Sequence, residues 1–186
     1  MSFNELQIDF ISKIHTPIFL IGMMGSGKTT IGKSVAKTLG WQFIDTDFEI
    51  EKQEKMVISE IFSNYGEDYF RNAEKTLLLS LVNAKKTIIS CGGGVFTKQE
   101  NIDLINKNCI SVFLNVNLDI LKQRLKNDTK RPILKTGKTI DGIFAERLGF
   151  YKQAKVAVEI QGQGVQTNTK RCIENLYNHL QGVIYV

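Results

Sequence analysis

The chain has 186 residues, which is the size of one domain with a single hydrophobic core rather than of two independent domains. Its 42% hydrophobic and 23% charged residues are ordinary for a globular protein, and no apolar stretch approaches the ~18 residues of a membrane span. The formal net charge of +5 is mildly basic, but no basic run with interleaved aromatic residues supports nucleic-acid binding. Three widely spaced cysteines and only two histidines indicate free thiols and no zinc site, so we expect a cytoplasmic protein.

Short apolar runs alternate with helical patterns along the chain, which predicts βαβ units and a parallel sheet. The candidate strands are Ile18–Gly22, Gln42–Asp45, Thr87–Cys91, Ile110–Val116 and Val156–Ile160. Their residues are apolar on both faces, as expected for strands that helices cover on each side. We therefore expect a three-layer α/β fold, in which helices flank a central parallel sheet of about five strands.

Apolar residues spaced by three or four predict the helices between these strands. The first, Lys28–Leu39, precedes Gly40, which suits the end of a helix, and Asn117 can cap the helix after the fourth strand. We expect the apolar residues of these helices to face the core, and we assign them no role in catalysis or binding. They are Ile31, Val35, Leu39, Phe70, Ala73, Leu77, Leu81, Leu118, Leu121, Leu125, Ile140, Phe144, Leu148, Tyr151, Ile173, Leu176, Tyr177 and Leu180.

The segment Gly22–Thr29 fits the pattern G-x-x-x-x-G-K-[ST] between an apolar strand and a periodic helix, which is typical of a P-loop NTPase. Glycines let successive backbone N–H groups turn toward phosphate oxygens, and the helix N-terminus adds partial positive charge. Lys28 can reach the β- and γ-phosphates, and the Thr29 hydroxyl can hold Mg²⁺. The motif predicts nucleotide binding without distinguishing a switch, a motor and a small-molecule kinase. The predicted ATP-binding residues of the loop are Gly25, Ser26, Gly27, Lys28, Thr29 and Thr30.

Two acids, Asp45 and Asp47, follow the second strand at the edge where open α/β sheets bind ligands. If the extended geometry continues, both side chains point the same way. One acid can then support Mg²⁺ while the other accepts the proton of an attacking hydroxyl, and helix N-capping is the structural alternative for either. Because the third strand ends in Ser90 and Cys91 instead of the usual aspartate, Asp45 is the best remaining metal carboxylate.

The segment Lys126–Lys138 is polar and basic and has no helical period. A solvated loop is the simple interpretation, and a mobile lid is the functional alternative.

Several motifs occur in the order found in shikimate kinases, and the chain resembles that family from about Ile18 to Ile160. The P-loop discriminates poorly among families, whereas the string IF…GE..FR..E followed by GGG and RP is much more specific. The motifs are GMMGSGKTT at Gly22–Thr30, DTD at Asp45–Asp47, ISEIFSNYGEDYFRNAE at Ile58–Glu74, GGGV at Gly92–Val95, KRPIL at Lys130–Leu134 and ERLGFY at Glu146–Tyr151. The resemblance implies phosphorylation of the shikimate 3-hydroxyl by ATP with Mg²⁺.

The resemblance also implies how the acceptor is bound. Asp47 would bind the shikimate hydroxyls and act as the base or orienting group, while Arg71 and Arg147 would grip the carboxylate. The backbone of Gly92 and Gly93 would help to seat the ring. Each role has a structural alternative: Arg71 could pair only with neighbouring acids of its helix, Arg147 could be a surface arginine, and the glycines could form a plain turn. The family often has proline two residues after the arginine that corresponds to Arg147, and this chain has Gly149 at that position.

On the nucleotide side, the resemblance implies that Arg131 belongs to the lid and reaches the ATP phosphates, where it joins Lys28 in catalysis. Arg124 would assist nucleotide binding. We expect one monomeric domain with ATP and shikimate as its partners. Its parts are the substrate-binding segment at about 46–75, the lid at about 126–140 and an N-terminal extension of unknown role at 1–16.

Two other functions stay open at this point. The same chemistry could serve another acceptor, such as gluconate or a nucleoside monophosphate, because such kinases share the P-loop core and a lid. A nucleotide-dependent binding protein without kinase activity is the non-enzymatic alternative, and only the basic charge and the P-loop support it.

Overall fold

The structure is a computed structural model that describes residues 3–126, 139–162 and 164–182. A five-stranded parallel sheet in the order β2-β3-β1-β4-β5 lies at its centre, flanked by helices, so the predicted α/β fold is confirmed. The elements are α1 (Phe3–Ser12), β1 (Ile18–Ile21), α2 (Lys28–Leu39), β2 (Gln42–Asp45), α3 (Thr46–Glu54), α4 (Ile58–Leu81), β3 (Thr87–Ser90), a 3-10 turn (Val95–Thr97), α5 (Gln99–Asn108), β4 (Ile110–Val116), α6 (Leu118–Leu125), α7 (Ile140–Tyr151), β5 (Val156–Ile160) and α8 (Val165–Leu180).

The strand order determines which loops meet at the functional edge of the sheet. Strand β3 lies between β1 and β2, and its last residue, Ser90, pairs with Leu20 on one side and Asp45 on the other. Because all five strands are parallel, their carboxyl ends lie at the same edge. The loops that follow β1, β2 and β3 therefore start side by side.

The predicted strand ends and exposures need two corrections. Strands β1 and β3 end one residue earlier than expected, at Ile21 and Ser90. The expectation that every strand is buried on both faces is wrong for the two outer strands. Strand β2 has no fully buried residue, and β5 alternates buried with exposed positions, because an outer strand has a neighbour on one side only. The three inner strands are almost wholly buried.

The predicted ends of two helices are confirmed. Helix α2 ends at Gly40, whose φ of 67° is the left-handed conformation that glycine adopts easily. Asn117 caps α6, since its side-chain oxygen accepts a 2.8 Å hydrogen bond from the Asp119 N–H.

The apolar stripe predicted for α7 is only partly right. Tyr151 is buried as expected, but the fully buried apolar residue beside it is Ile143. Ile140, Phe144 and Leu148 are only half-buried. All three still pack against the core, so the predicted stripe does face it, and Ile143 is the core residue that the prediction omitted.

The N-terminal extension forms helix α1, which packs against α2 and α8. Ile11 is fully buried in the main core, and the Phe10 ring meets Tyr177 of α8 edge-on at a centroid distance of 5.5 Å. Within the part of the chain that the structure describes, no helix combines the length and apolar character needed to cross a bilayer.

Candidate active site

The loop between β1 and α2 has the compact geometry of a phosphate cradle. Gly22 has φ of 145°, and a Cβ there would lie 2.9 Å from the Leu114 carbonyl oxygen, so both conformation and space favour glycine. Gly27, with φ of 93°, stands at the N-terminus of α2. The loop therefore wraps the start of a helix whose free N–H groups suit an anion.

Two basic side chains hold this loop by hydrogen bonds to its backbone carbonyl oxygens. The buried Lys28 ammonium donates 2.8 Å hydrogen bonds to the carbonyl oxygens of Gly22 and Met23. From α6, Arg124 Nη1 donates a 2.9 Å hydrogen bond to the Gly25 carbonyl oxygen. Both predicted nucleotide contacts thus lie at the loop, and Arg131 falls outside the described residues.

An oxygen-rich corner lies beside the loop where α2 meets the ends of β2 and β3. The Thr29 hydroxyl donates a 2.7 Å hydrogen bond to Asp45 Oδ2, and its oxygen lies 3.5 Å from the buried Ser90 hydroxyl. A carboxylate and two hydroxyls are hard oxygen donors, which is the kind of ligand set that Mg²⁺ prefers. The residues present therefore fit a magnesium ion held between the protein and a nucleotide.

The expectation that Asp45 and Asp47 extend in the same direction is wrong, because helix α3 begins at Thr46. Asp45 is the N-cap of that helix, and its Oδ1 accepts hydrogen bonds from the N–H groups of Asp47 (3.2 Å) and Phe48 (3.4 Å). Asp45 therefore caps helix α3, as the structural alternative expected, and it also accepts the hydrogen bond from Thr29. Asp47 lies in the first turn of α3, where its carboxylate reaches the glycine segment after β3 instead.

Each glycine of Gly92–Gly94 faces a different side chain predicted to bind the acceptor. A Cβ on Gly92 would collide with Asp47 Oδ1, one on Gly93 would lie 3.2 Å from Arg147 Nη1, and one on Gly94 would lie 2.5 Å from Arg71 Nη1. The first glycine is also fixed by its N–H, which donates a 2.9 Å hydrogen bond to the Thr46 hydroxyl. The segment is glycine-rich because three polar side chains approach its backbone closely.

Arg71 is held on α4 by two acids of the same helix, as the alternative interpretation expected. Its Nη1 lies 2.9 Å from Glu74 Oε2, and its Nη2 lies 3.1 Å from Glu67 Oε1. Burial lowers the pKa of Arg71, but Glu74 and Glu67 outweigh that effect and raise the pKa above its usual value. These pairs do not remove the guanidinium from the site, since it packs against Gly94 at the same time.

Glu74 is a buried carboxyl whose two oxygens have different surroundings. One oxygen accepts the hydrogen bond from Arg71, whereas Oε1 is buried without a hydrogen-bond partner among the described residues. That oxygen lies 3.2 Å from the position that a Cβ on Gly92 would occupy. Burial raises the pKa of Glu74, Arg71 opposes the shift, and the nearby Asp47 adds to it.

On the other side of the glycine segment, two residues of α7 share one acceptor. Arg147 Nη1 donates a 3.1 Å hydrogen bond to the Gly93 carbonyl oxygen, and the Tyr151 hydroxyl donates one of 2.7 Å to the same atom. Arg147 is therefore no isolated surface arginine. Helix α7 runs without a break through Gly149, so glycine at the position where relatives often have proline leaves the local backbone helical.

A cavity of ≈ 410 Å³ lies at the carboxyl edge of the sheet, and neither Arg71 nor Arg147 is among the residues that line it. The phosphate loop, Asp45 and Asp47 line it. Gly93, Arg124 and Asn168 of α8 also contribute to its wall. The residues that line it are Met24, Gly25, Ser26, Gly27, Lys28, Thr29, Thr30, Ile31, Asp45, Asp47, Ser90, Cys91, Gly93, Arg124, Ile160, Val165 and Asn168. The fold thus brings the predicted nucleotide residues and the acid beside the acceptor segment into one site.

Comparison with known proteins identifies the family. The family model described as shikimate kinase matches residues 24–177. A shikimate kinase from Persephonella marina is 39% identical over 78% of this chain and 90% of its own length. Another, from Sulfurihydrogenibium, is 41% identical over 76% of this chain and 86% of its own length.

This chain belongs to the shikimate kinase family.

Solved shikimate kinases have the same architecture. The enzyme from Aquifex aeolicus superimposes with a TM-score of 0.80 at 31% identity, covering 89% of this chain and 99% of that one. The enzyme from Acinetobacter baumannii, solved in complex with shikimate, gives 0.81 at 28% identity, covering 94% and 97%. A gluconokinase from Sinorhizobium meliloti gives 0.54 at 16% identity, which shows a shared fold alone.

Sequence reasoning missed two polar residues of this shikimate kinase site, and both left a signal. Glu74 lies four residues after Phe70 and three before Leu77, so it is a charged residue on the buried face of α4. Tyr151 stands four residues after Arg147 in the ERLGFY motif, and its periodicity predicts a core position without a role at the site. A polar side chain on the buried face of a helix needs a hydrogen-bond partner inside the protein. The positions of Glu74 and Tyr151 could therefore have indicated a role at the site.

Proposed function

We propose that this shikimate kinase family member transfers the γ-phosphoryl group of Mg·ATP to the 3-hydroxyl of shikimate, giving 3-phosphoshikimate and ADP. The observation that carries the proposal is the pairing of Gly92, Gly93 and Gly94 with Asp47, Arg147 and Arg71. One acid and two guanidinium groups face the same short segment, which starts beside the phosphate loop. That combination suits an acceptor with one carboxylate and a reactive hydroxyl.

The acceptor carboxylate would bind between the two arginines. A planar guanidinium forms bidentate, charge-assisted hydrogen bonds with a carboxylate, each worth ~1.5–3 kcal/mol net. Arg71 and Arg147 approach Gly94 and Gly93 respectively, so they bracket this segment from α4 and α7. An acceptor without a carboxylate would leave both cations without that partner, which explains how the site would reject it.

Asp47 is the residue we assign to the reacting hydroxyl. As the hydroxyl oxygen forms its bond to the γ-phosphorus, the bond from that phosphorus to the β–γ bridging oxygen breaks. The hydroxyl proton passes to the Asp47 carboxylate, and ADP leaves with the bonding electron pair. No covalent intermediate with the protein is needed, since positioning and charge neutralisation supply the catalysis.

The nucleotide would lie along the phosphate loop. Gly25 to Thr30, including Lys28, line the cavity, and Arg124 reaches the loop from α6. We propose that Lys28 moves from its carbonyl contacts to the β- and γ-phosphates when ATP binds. Arg131, as part of a lid at about 126–140, would add positive charge at the transferring group.

Thr29 and Asp45 would hold the magnesium ion, because a hydroxyl and a carboxylate are the oxygen donors that Mg²⁺ prefers. When bound, Mg²⁺ neutralises the charge of the β- and γ-phosphates.

We further propose a monomeric, cytoplasmic enzyme whose domain spans residues 1–186. The three free cysteines, Cys91, Cys109 and Cys172, support a reducing compartment.

An acceptor panel tests the proposal. The purified protein with Mg·ATP is offered shikimate, gluconate or a nucleoside monophosphate, and ADP release is followed together with the ³¹P NMR spectrum of the product. We expect turnover with shikimate well above the other acceptors and a new phosphate-monoester resonance. No ADP release above background with shikimate would falsify the proposal.

A further inference from the structure

Helix α7 directs two donors at one backbone oxygen beside the acceptor segment. Arg147 and Tyr151 are four residues apart, so their side chains lie on the same face of the helix. The tyrosine hydroxyl is 2.7 Å from the Gly93 carbonyl oxygen, and the guanidinium nitrogen is 3.1 Å from it. A carbonyl oxygen has two lone pairs, so these two donors satisfy both.

The Tyr151 side chain is fully buried, and its surroundings fix the ring. Phe113 of β4 packs against it at a centroid distance of 5.4 Å, and Met23 Sδ lies 3.9 Å from the hydroxyl oxygen. Burial raises the pKa of this hydroxyl despite the opposing charge of Arg147, so it stays protonated at neutral pH. Its single proton is directed to Gly93, the nearer and stronger acceptor.

A core position alone does not require this hydroxyl, because phenylalanine would fill nearly the same space without a polar atom to satisfy. The hydroxyl instead fixes the orientation of one peptide group. Since the C=O and N–H of a peptide plane point in opposite directions, holding the Gly93 oxygen toward α7 turns the next N–H away from that helix. The same bond keeps the acceptor of Arg147 Nη1 in place.

We propose that Tyr151 is a positioning residue for the acceptor: through its buried hydrogen bond to Gly93 it sets the geometry of the glycine segment and of Arg147. This inference rests on the proposed function. A guanidinium carries five N–H donors, so its bond to Gly93 leaves donors for a bidentate carboxylate. The bond to Gly93 lies on the acceptor side of the site, and the hydrogen bonds that Lys28 and Arg124 donate to the phosphate loop do not involve the Tyr151 hydroxyl.

The test is Tyr151→Phe, with Tyr177→Phe as a matched control on α8, outside the substrate-binding segment, where the ring packs against Phe10 of α1. Loss of one net hydrogen bond predicts a KM for shikimate raised about threefold to tenfold, while the KM for ATP changes by less than about twofold. Shikimate methyl ester, which lacks the negative charge, should show a smaller increase than the acid. The control should leave all three values unchanged.

A double-mutant cycle with Arg147→Lys separates positioning from bulk stability. The two substitutions should raise the KM for shikimate by less than the product of their separate effects, because both act on the same contact. Unchanged Michaelis constants would overturn the proposal. So would equal increases for ATP, acid and ester accompanied by a lower melting temperature, since that pattern marks a purely structural role.

If Tyr151→Phe does not fold, 3-fluorotyrosine at the same position provides the second variant, because it retains the hydroxyl donor and nearly the same ring size. The fluorine makes this hydroxyl more acidic and so alters its hydrogen bond, and we expect the KM for shikimate to change more than the KM for ATP. Equal changes, or no change, would contradict the role of the hydroxyl. Failure of the wild-type enzyme to turn over shikimate is a separate outcome. It would remove the proposed function and this inference together.

Discussion

The Thr29 hydroxyl donates a 2.7 Å hydrogen bond to the Asp45 carboxylate across the end of strand β3. This bond joins the phosphate-loop helix to the second strand. It holds the Asp45 carboxylate beside the end of the third strand, where this chain has Ser90 and no aspartate. We expect Asp45→Asn to weaken Mn²⁺ binding to the ADP complex by roughly tenfold to a hundredfold, as measured by electron paramagnetic resonance titration. Asp103→Asn, on the exposed face of α5, is the control, and equal Mn²⁺ affinities in both variants would contradict a metal role.

Asp47 is expected to act on the chemical step and not on the nucleotide. Asp47→Asn keeps the size of the side chain but removes a proton acceptor, so kcat should fall about 10²- to 10⁴-fold. The dissociation constant of ATP, measured by calorimetry, should change little. Glu49→Gln removes a charge two residues further along α3 and should keep kcat near the wild-type value. An unchanged kcat in Asp47→Asn would exclude this carboxylate from the reaction.

The close packing of Gly94 against Arg71 makes a substitution at the glycine report on the arginine. A Cβ there would lie 2.5 Å from the guanidinium, which must move. Gly94→Ala should therefore raise the KM for shikimate about tenfold or more, as Arg71→Ala should through loss of a charge-assisted bond. Gly149→Ala, where a Cβ meets open space on α7, should leave KM unchanged. A wild-type KM in Gly94→Ala would show that the carboxylate binds elsewhere.

Glu74 should make the stability of the fold depend on pH. Burial raises its pKa above the ordinary value of 4.5 and Asp47 adds to this shift, whereas the positive charges of Arg71 and Lys98 oppose it. A carboxyl whose pKa is higher in the folded chain stabilises the fold below its unfolded pKa, and this contribution disappears as the pH rises through the folded value. Glu74→Gln stays neutral throughout. The free energy of unfolding of the wild type should therefore fall relative to that of the variant as the pH rises from 4.5.

Urea unfolding at a series of pH values measures this difference. A difference that stays constant, or that increases with pH, would show that burial does not dominate the titration of Glu74.

Helix α1 should contribute to the stability of the whole domain, although it precedes the segment that the family model matches. Ile11 is fully buried against the core, so Ile11→Ala should lower the free energy of unfolding by ~2–5 kcal/mol. Leu6→Ala removes a half-exposed side chain from the same helix and should have a much smaller effect. A loss in Ile11→Ala as small as that expected for Leu6→Ala would mean that α1 is not part of the cooperative unit.

Much of the fold was accessible from sequence because it depends on local rules. The P-loop pattern, the alternation of strands and helices, and the helix boundaries at Gly40 and Asn117 each follow from short stretches of chain. The order of the strands does not, since the position of β3 between β1 and β2 is a long-range property. For the same reason the exposure of the outer strands could not be read from their composition.

For the candidate site, the sequence motifs predicted which residues take part but not which residues they contact. The spacing of Asp45 and Asp47 could not show that a helix starts between them and sends the two side chains to different partners. Likewise, the glycine run indicated a close approach without revealing that each glycine meets a different acceptor side chain. Such contacts join residues that are far apart along the chain, and only the packed structure determines them.

A crystal structure with ADP and shikimate bound is the decisive measurement, because it shows which side chains touch the acceptor carboxylate. We predict that the carboxylate lies within hydrogen-bonding distance of Arg71 and Arg147, and that a ring hydroxyl contacts Asp47 and faces the phosphate loop. Shikimate bound away from these three side chains, or with its carboxylate in solvent, would contradict the account.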